Sequence, residues 1–363
     1  MIDFDSVYKG KKVLVTGHTG FKGSWLSLWL QSLGADVIGV SDRVPTNPSH
    51  FDAIEMARNL EDIRLDVLEG ERLGEVLKEC RPDFVFHLAA QALVKESYAN
   101  PIRTFQTNAI GSLNVLEALR SVSYPVTVIM ITSDKVYDNV EWVWGYRETD
   151  TLGGKDPYSA SKSMAEIAIR SYVSSFLPVD GPVKVGIARA GNVIGGGDWA
   201  EARIVPDCMT AWSEKKAVSI RNPSSTRPWQ HVLEPLGGYL LLGRELHKDR
   251  KHHGEAYNFG PAARQSHSVA DLINEMEKHW KNVRWEDLSG ETSRFHEAGL
   301  LKLNCDKAAF HLRWQPVLEF EETVQFTVDW YREFYQGRTM RGYSLQQIQN
   351  YSKKAGERNL EWI

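Results

Sequence analysis

Three glycines spaced three residues apart, Gly17, Gly20 and Gly23, follow a short apolar run at 12–16 and open a helical pattern at about 23–33. This order of strand, glycine-rich turn and helix lets the backbone approach a pyrophosphate at the amino terminus of the helix. A tight turn without a ligand is the simpler interpretation of the glycines alone. We predict that the loop binds a dinucleotide through Gly17, Thr19, Gly20, Phe21, Lys22 and Gly23.

The first half of the chain alternates short apolar runs with helical patterns. The runs lie at 12–16, 36–40, 84–88, 126–132 and 184–190, and further helices are expected at about 71–79, at 101–121 and from residue 158. Continuous apolar runs, rather than strict alternation, indicate strands covered on both faces. We predict an α/β fold with a Rossmann-type doubly wound parallel sheet and a smaller, interleaved C-terminal substrate domain. The nucleotide-binding domain would comprise 1–189 and about 228–256, and the substrate domain about 190–227 and 257–363.

The composition is ordinary for a globular protein, with 42% hydrophobic and 25% charged residues among 363. A formal net charge of -4 argues against a global attraction to nucleic acid or anionic membranes. No apolar stretch approaches the roughly 20 residues that a membrane helix needs. The three cysteines lack the spacing of metal ligands. We expect a cytoplasmic protein without a metal, whose partners are small molecules or further copies of itself.

Residues after the other predicted strands complete the cofactor site. Asp42 follows the second strand, where an acidic side chain binds the adenosine ribose hydroxyls and disfavours a 2′-phosphate. Arg43 beside it keeps NADP open, because an arginine can bind that phosphate, and NAD is the predicted cofactor. A further, third strand is expected before Asp66, and the run at 84–88 is then the fourth. Contacts are predicted after these two strands, at Asp66, Val67, Leu88, Ala89, Ala90 and Gln91. Packing at a helix start is the alternative for the two alanines.

Tyr158 and Lys162 are four residues apart and lie on one face of the helix expected from residue 158. Combined with the upstream glycine-rich loop, this pair resembles the extended short-chain dehydrogenase/reductase superfamily. The resemblance implies that Tyr158 acts as a base whose pKa is lowered by Lys162 and by the nicotinamide. It also implies that Asn108 holds a water near the lysine as part of the cofactor site. A polar residue pointing to solvent is the alternative for Asn108.

Ser133, Asp134 and Lys135, after the fifth strand, separate reaction types within that superfamily. With the segments at 189–199 and 227–235, they resemble the sugar-nucleotide 4,6-dehydratases, and within that branch the members that act on cytidine diphosphate sugars. The resemblance extends from the glycine-rich loop through 257–260 to 296–303. It implies the NAD-dependent dehydration of CDP-glucose to a 6-deoxy-4-keto sugar, in deoxysugar and surface-polysaccharide biosynthesis. The alternatives are a sugar-nucleotide 4-epimerase, a 4,6-dehydratase of another nucleotide sugar, and an NAD-binding regulatory protein.

In the implied mechanism Tyr158 takes the proton of the sugar 4-hydroxyl, Ser133 contacts the 4-oxygen and Asp134 protonates the departing 6-hydroxyl. Lys135 either removes the C5 proton as a neutral amine or stays charged and stabilises the enolate oxygen, which leaves removal of the C5 proton to Asp134 or a water. If the backbone at Asp134 and Lys135 is extended, the two side chains point apart.

The second half of the chain is expected to bind the diphosphate, because two phosphates require cations. Substrate contacts are predicted at Asn192, Arg203, Arg221, Arg227 and His231. A surface position is the alternative for Arg203 and Arg221, and packing beneath the loop for His231. The resemblance also implies a homodimer or homotetramer that pairs the helices at 101–121 and 158–175.

Overall fold

The computed structural model describes residues 2–262, 265–288 and 300–362. Its strands are β1 (Lys12–Thr16), β2 (Asp36–Ser41), β3 (Glu61–Arg64), β4 (Phe84–His87), β5 (Val126–Ile131), β6 (Val183–Arg189), β7 (Val193–Ile194), β8 (Val218–Ile220), β9 (Thr226–Arg227), β10 (Gln230–His231), β11 (Ala256–Asn258), β12 (His267–Ser268) and β13 (Trp285–Asp287). Its α-helices are α1 (Phe21–Ser32), α2 (His50–Ala53), α3 (Gly70–Cys80), α4 (Val94–Ala99), α5 (Pro101–Phe105), α6 (Gly111–Arg120), α7 (Pro157–Phe176), α8 (Ile204–Ser213), α9 (Leu233–Lys248), α10 (Val269–Glu277), α11 (Asp306–Leu312), α12 (Phe320–Tyr335) and α13 (Met340–Glu357).

Seven strands form one parallel sheet in the order β11-β6-β5-β4-β1-β2-β3. The order reverses between β1 and β4, where Val13 of β1 pairs with Val37 of β2 and with Phe84 of β4. Parallel strands bring all their carboxyl ends to one edge, and ligands bind in the crevice at such a reversal. The predicted Rossmann-type α/β fold is confirmed.

Helices cover both faces of the sheet. Within β1, Leu14 belongs to the apolar cluster under α3, α6 and α7, whereas Val13 and Val15 belong to the cluster under α1 and α9. Successive strand residues point to opposite faces, so this division follows from the pleat. Burial on both faces explains why the strands appear in the sequence as continuous apolar runs.

The helix predicted at 101–121 is interrupted. A π-helical turn, Gln106–Ile110, separates α5 from α6 and contains Asn108. Such turns occur within α-helices, often at functional sites. Helix α7 begins one residue before Tyr158, at Pro157, and Asp156 caps it by accepting a hydrogen bond from the amide of Ser159 at 3.0 Å.

The second half adds short strand pairs and the helices α8 to α13. Strand β11, at the predicted domain boundary, is the edge strand of the main sheet. Helix α13 returns to pack on α1, where the rings of Trp29 and Tyr351 lie 5.7 Å apart. One apolar cluster joins α1, α9, α12 and α13. The exact division into domains therefore stays a prediction.

No helix among the residues described above combines the length and apolar character needed to cross a membrane.

Candidate active site

The turn between β1 and α1 has no space for side chains at Gly17 and Gly23. Gly17 has a φ of 75°, and a Cβ added to it would lie 2.7 Å from the amide nitrogen of Ala89. A Cβ on Gly23 would lie 2.1 Å from the carbonyl oxygen of Gly17. Gly20 is the N-cap of α1 and supplies no side-chain hydrogen bond to the helix. The amides at this helix start suit a pyrophosphate, so the chain fits a bound dinucleotide here.

The residues expected at the adenosine end lie after β2 and β3. Asp42 and Arg43 are exposed, with the Arg43 Nε 4.0 Å from a carboxylate oxygen of Asp42. The Thr19 hydroxyl donates to the carbonyl of Arg43 at 2.6 Å and so ties the glycine-rich turn to this loop. Asp66 is paired with Arg103, and Val67 is buried beside Gly111.

Asn108 connects the loop after β4 to the helix that carries the reacting groups. Its Oδ1 accepts the amide of Gln91 at 2.9 Å, and its Nδ2 donates to the Ser161 hydroxyl at 2.8 Å. The Ser161 hydroxyl donates in turn to the carbonyl of Tyr158 at 2.7 Å. Asn108 is buried, so the alternative that it points to solvent is wrong. Its predicted contact with a water stays a prediction.

The predicted catalytic segment after β5 is a single 3-10 turn, Asp134–Val136, with Ser133 as its N-cap. The extended geometry considered from the sequence is therefore wrong at this point. The Ser133 hydroxyl accepts the amide of Lys135 at 3.2 Å and donates to a carboxylate oxygen of Asp134 at 2.9 Å. The Lys135 Nζ lies 6.0 Å from the ring centroid of Tyr158. All four groups thus meet at the carboxyl end of β5.

Asp134 is almost completely buried. Its second carboxylate oxygen accepts a hydrogen bond from the Nδ2 of Asn192 at 3.4 Å. Asn192 has a φ of 50°, a left-handed conformation that asparagine tolerates better than most residues. The predicted substrate contact Asn192 therefore lies beside the predicted acid.

Burial raises the pKa of Tyr158 to about 12, although a hydrogen bond with Ser133 opposes this shift. The rise in the pKa of Tyr158 is opposite to the lowering that the sequence predicts from Lys162. Burial lowers the pKa of Lys162 to about 8, and the positive charge of Lys22 adds to the effect. The pKa of Lys22 is also lowered to about 8, mainly by burial and against the attraction of Asp134. Lys22, expected only in the cofactor loop, is therefore electrostatically coupled to the catalytic residues.

A small cavity adjoins the predicted catalytic turn. Asp134 and Gly191 line one part of it, and Gln230, Gln265 and Lys302 contribute further polar side chains. These last three residues are not predicted as site residues from the sequence. Lys302 belongs to the segment 296–303 that supported the resemblance, of which residues 296–299 lie outside the described residues.

The other predicted substrate contacts differ in their burial and in their neighbours. Arg203 is paired with Asp198 at 2.6 Å, and its charge lowers the pKa of Tyr158, which places it near the reacting groups. Arg227 is half-buried, and Arg221 is exposed. His231 is completely buried between the rings of Trp25 and Phe326. This burial favours packing beneath the loop, and the contact of His231 with substrate stays a prediction.

A buried ion pair holds the residues on either side of the predicted catalytic turn. Glu166 of α7 and Arg189 of β6 are paired with both side chains inaccessible to solvent. Glu166 also accepts the Thr132 hydroxyl at 2.9 Å, and Arg189 donates to the Tyr137 hydroxyl at 2.5 Å. Residues on both sides of the catalytic turn are thus fixed by the same pair.

The doubly wound sheet, the glycine-rich turn and the paired Tyr158 and Lys162 together define an enzyme of the extended short-chain dehydrogenase/reductase class. Residues 14–327 match the family described as GDP-mannose 4,6 dehydratase. The chain belongs to this family, which confirms the 4,6-dehydratase branch expected from the sequence.

Individual relatives are similar over nearly the whole chain. The chain is 43% identical over 355 residues to the CDP-glucose 4,6-dehydratase of Salmonella typhimurium (strain LT2), covering 97% of this chain and 98% of that protein. An epimerase from Methanothermobacter thermautotrophicus superposes with a TM-score of 0.77 at 27% identity, covering 92% of this chain and 95% of that one. A dTDP-glucose 4,6-dehydratase from Bacillus anthracis, in complex with NAD, superposes with a TM-score of 0.73 at 22% identity, covering 92% and 100%. At 22% identity, the similarity to the Bacillus anthracis enzyme shows a shared fold alone.

Proposed function

We propose that this enzyme converts CDP-glucose to CDP-4-dehydro-6-deoxy-glucose by an intramolecular dehydration that uses NAD. The 43% identity to a CDP-glucose 4,6-dehydratase over 97% of the chain supports the substrate. The observation that carries the reaction is the joined set of Ser133, Asp134 and Tyr158 beside a turn that fits a dinucleotide. We place the reaction in cytoplasmic deoxysugar and polysaccharide synthesis.

The reaction begins at C4 of the sugar. Bound NAD would accept the C4 hydride and later return it to C6, so the cofactor is regenerated in each turnover. Tyr158 takes the proton of the 4-hydroxyl, and Ser133 holds the 4-oxygen by a hydrogen bond. Lys162 lies one helical turn from Tyr158 on α7, and its charged form would favour the anionic form of the phenol.

The resulting ketone acidifies the C5 proton and permits loss of the 6-hydroxyl. Asp134 protonates this leaving group from its buried position against Ser133 and Asn192. Lys135 acts at the same step, either as the neutral base that takes the C5 proton or as a cation that stabilises the enolate oxygen while Asp134 or a water takes that proton. Its location near the ring of Tyr158 is compatible with both roles.

A sugar-nucleotide 4-epimerase is the principal alternative, because such enzymes share the fold and the Tyr158 and Lys162 pair. An epimerase needs no acid at C6, whereas this chain buries Asp134 in a cavity and holds it with two side chains. Incubation with CDP-glucose and NAD, followed by mass and NMR analysis, separates the two. Loss of one water with formation of a 6-methyl signal supports the dehydratase, and a CDP-hexose of unchanged mass supports the epimerase.

We also propose that the enzyme is a homodimer or homotetramer that pairs the surfaces of α5 to α7. Apolar side chains are exposed on these elements at Ile102, Ile110, Met164 and Ile167. Light scattering of the purified protein tests this, and a monomer at micromolar concentration contradicts it. Binding of NAD rather than NADP remains part of the proposal, since Arg43 beside Asp42 leaves both chemically possible.

A further inference from the structure

The amide of Gln230 is a polar group in the active-site cavity for which the mechanism above has no use. Its side chain is 2% exposed and lines the cavity that also contains Asp134. Its Nε2 donates to the carbonyl oxygens of Gly191 at 2.9 Å and Phe259 at 3.1 Å. These two acceptors set the orientation of the amide, because the flipped amide would place its oxygen against two carbonyl oxygens.

The Oε1 of Gln230 is left as a buried acceptor that has no partner among the residues of the described ranges. A buried acceptor is stabilised by a ligand that donates a hydrogen bond. A sugar hydroxyl can donate, whereas the ionised oxygens of a diphosphate only accept. Gln347 on α13 also has a buried, unpartnered Oε1, but it does not line this cavity. The combination of the acceptor with the cavity of Asp134 is therefore what indicates a ligand.

The surroundings of Gln230 select one hydroxyl. Gly191 lies between the amide and the carboxyl, because its carbonyl accepts from Gln230 and its Cα faces the Asp134 carboxylate without an intervening side chain. Tyr158 and Ser133, which act at the 4-oxygen, do not line this cavity. A hydroxyl within reach of both Asp134 and Gln230 is thus the one that Asp134 protonates.

We propose that Gln230 holds the 6-hydroxyl of the sugar as it leaves, with Oε1 accepting the hydrogen that the hydroxyl already carries. This inference rests on the proposed dehydratase function. As the C5 proton is removed, the electron pair of the C5–H bond forms the double bond between C5 and C6. The C6–O bond breaks with its electron pair on oxygen, and the proton of Asp134 completes a water molecule. Gln230 exchanges no proton and keeps a lone pair of the hydroxyl oxygen directed at Asp134.

The test compares two substrates whose leaving groups differ in one hydrogen. CDP-glucose loses water, and CDP-6-deoxy-6-fluoroglucose loses fluoride, which has no hydrogen to donate. Gln230→Met replaces the amide by an apolar side chain of similar length. The loss of the donors to Gly191 and Phe259 should slow both reactions, and we expect the kcat for dehydration to fall by a further factor of about ten to a hundred relative to fluoride release, as for one lost hydrogen bond.

Two further variants separate this role from support of the loops. Gln230→Glu retains acceptor oxygens but loses the donors to Gly191 and Phe259, so both substrates should be slowed together and their ratio should stay that of the wild type. Gln347→Met makes the same chemical change at a buried glutamine outside the cavity and should leave both rates unchanged, with thermal unfolding as the check on folding. If Gln230→Met slows both substrates by one common factor, Gln230 only supports the loops and the inference is overturned. If the wild type forms no 6-deoxy product from CDP-glucose, the proposed function fails instead.

Discussion

Asp134 and Gly191 fit each other so closely that an ideal Cβ on Gly191 would lie 1.8 Å from the Oδ2 of Asp134. Asp134 is itself held by Ser133 at 2.9 Å and is almost completely buried. The carboxyl group therefore cannot move aside without losing a hydrogen bond. The position of the proposed acid depends on a residue of the neighbouring strand end that has no side chain.

Gly191→Ala should displace the carboxyl of Asp134 and reduce turnover. A shift of about 1 Å in a reacting group can reduce the rate by roughly a hundredfold, and we expect a loss of this order in kcat. Gly342→Ala in α13 is the matched control, because nothing lies within 4 Å of its added Cβ. Steady-state kinetics of both variants would check this, and wild-type turnover in Gly191→Ala would show that the carboxyl position is unimportant.

Tyr158→Phe should remove the group that takes the 4-hydroxyl proton. Loss of general acid-base catalysis typically reduces turnover by about two to four orders of magnitude, and we expect a reduction in this range. The ring remains buried in α7, so the melting temperature should change little. Turnover close to that of the wild type would mean that another group accepts this proton.

Lys135→Met should affect the elimination step rather than the oxidation. The Lys135 Nζ lies 6.0 Å from the ring centroid of Tyr158 and takes no part in the hydrogen bond between Ser133 and Asp134. The variant should therefore still reduce bound NAD when substrate is added, and then accumulate NADH. Rapid-mixing absorbance measures this directly, and a variant in which NADH never forms would assign Lys135 to the first step or to substrate binding.

Glu234 should make the stability of the protein depend on pH. Burial raises its pKa from 4.5 to about 7, against the lowering effect of hydrogen bonds from the amides of Val317 and Leu318. Between these two pH values the folded protein binds more protons than the unfolded chain, so the free energy of unfolding should fall as the pH rises. Glu234→Gln cannot titrate and should gain stability relative to the wild type across this window. Denaturant unfolding at several pH values tests this, and parallel profiles would contradict it.

The sheet could be predicted from the sequence because its central strands are buried on both faces and appear as apolar runs. The edge strand β3 has charged residues at three of its four positions, Glu61, Asp62 and Arg64, so no apolar run marks it. The π-helical turn at Gln106–Ile110 was also missed, since its residues have an ordinary helical pattern.

The two residues of β10 illustrate what the sequence leaves undecided at the site. Adjacent strand residues face opposite sides, so only one of Gln230 and His231 can face the cavity. The choice depends on the pairing of β10 with β7, where Gln230 lies opposite Val193, and this pairing is not evident in the sequence. Lys302 and Gln265 reach the cavity from distant segments. Proximity in space, rather than any local pattern, makes them site residues.

In the proposed reaction, the hydride removed from C4 returns to C6 of the same sugar. The direct measurement uses CDP-glucose labelled with deuterium at C4, in ordinary water, with mass and NMR analysis of the product. We predict that the deuterium is recovered at C6, and that in a parallel reaction in heavy water solvent deuterium enters C5. Loss of the C4 label to free NADH, or its retention at C4 in a CDP-hexose of unchanged mass, would show that the hydride does not return to C6 of the same sugar.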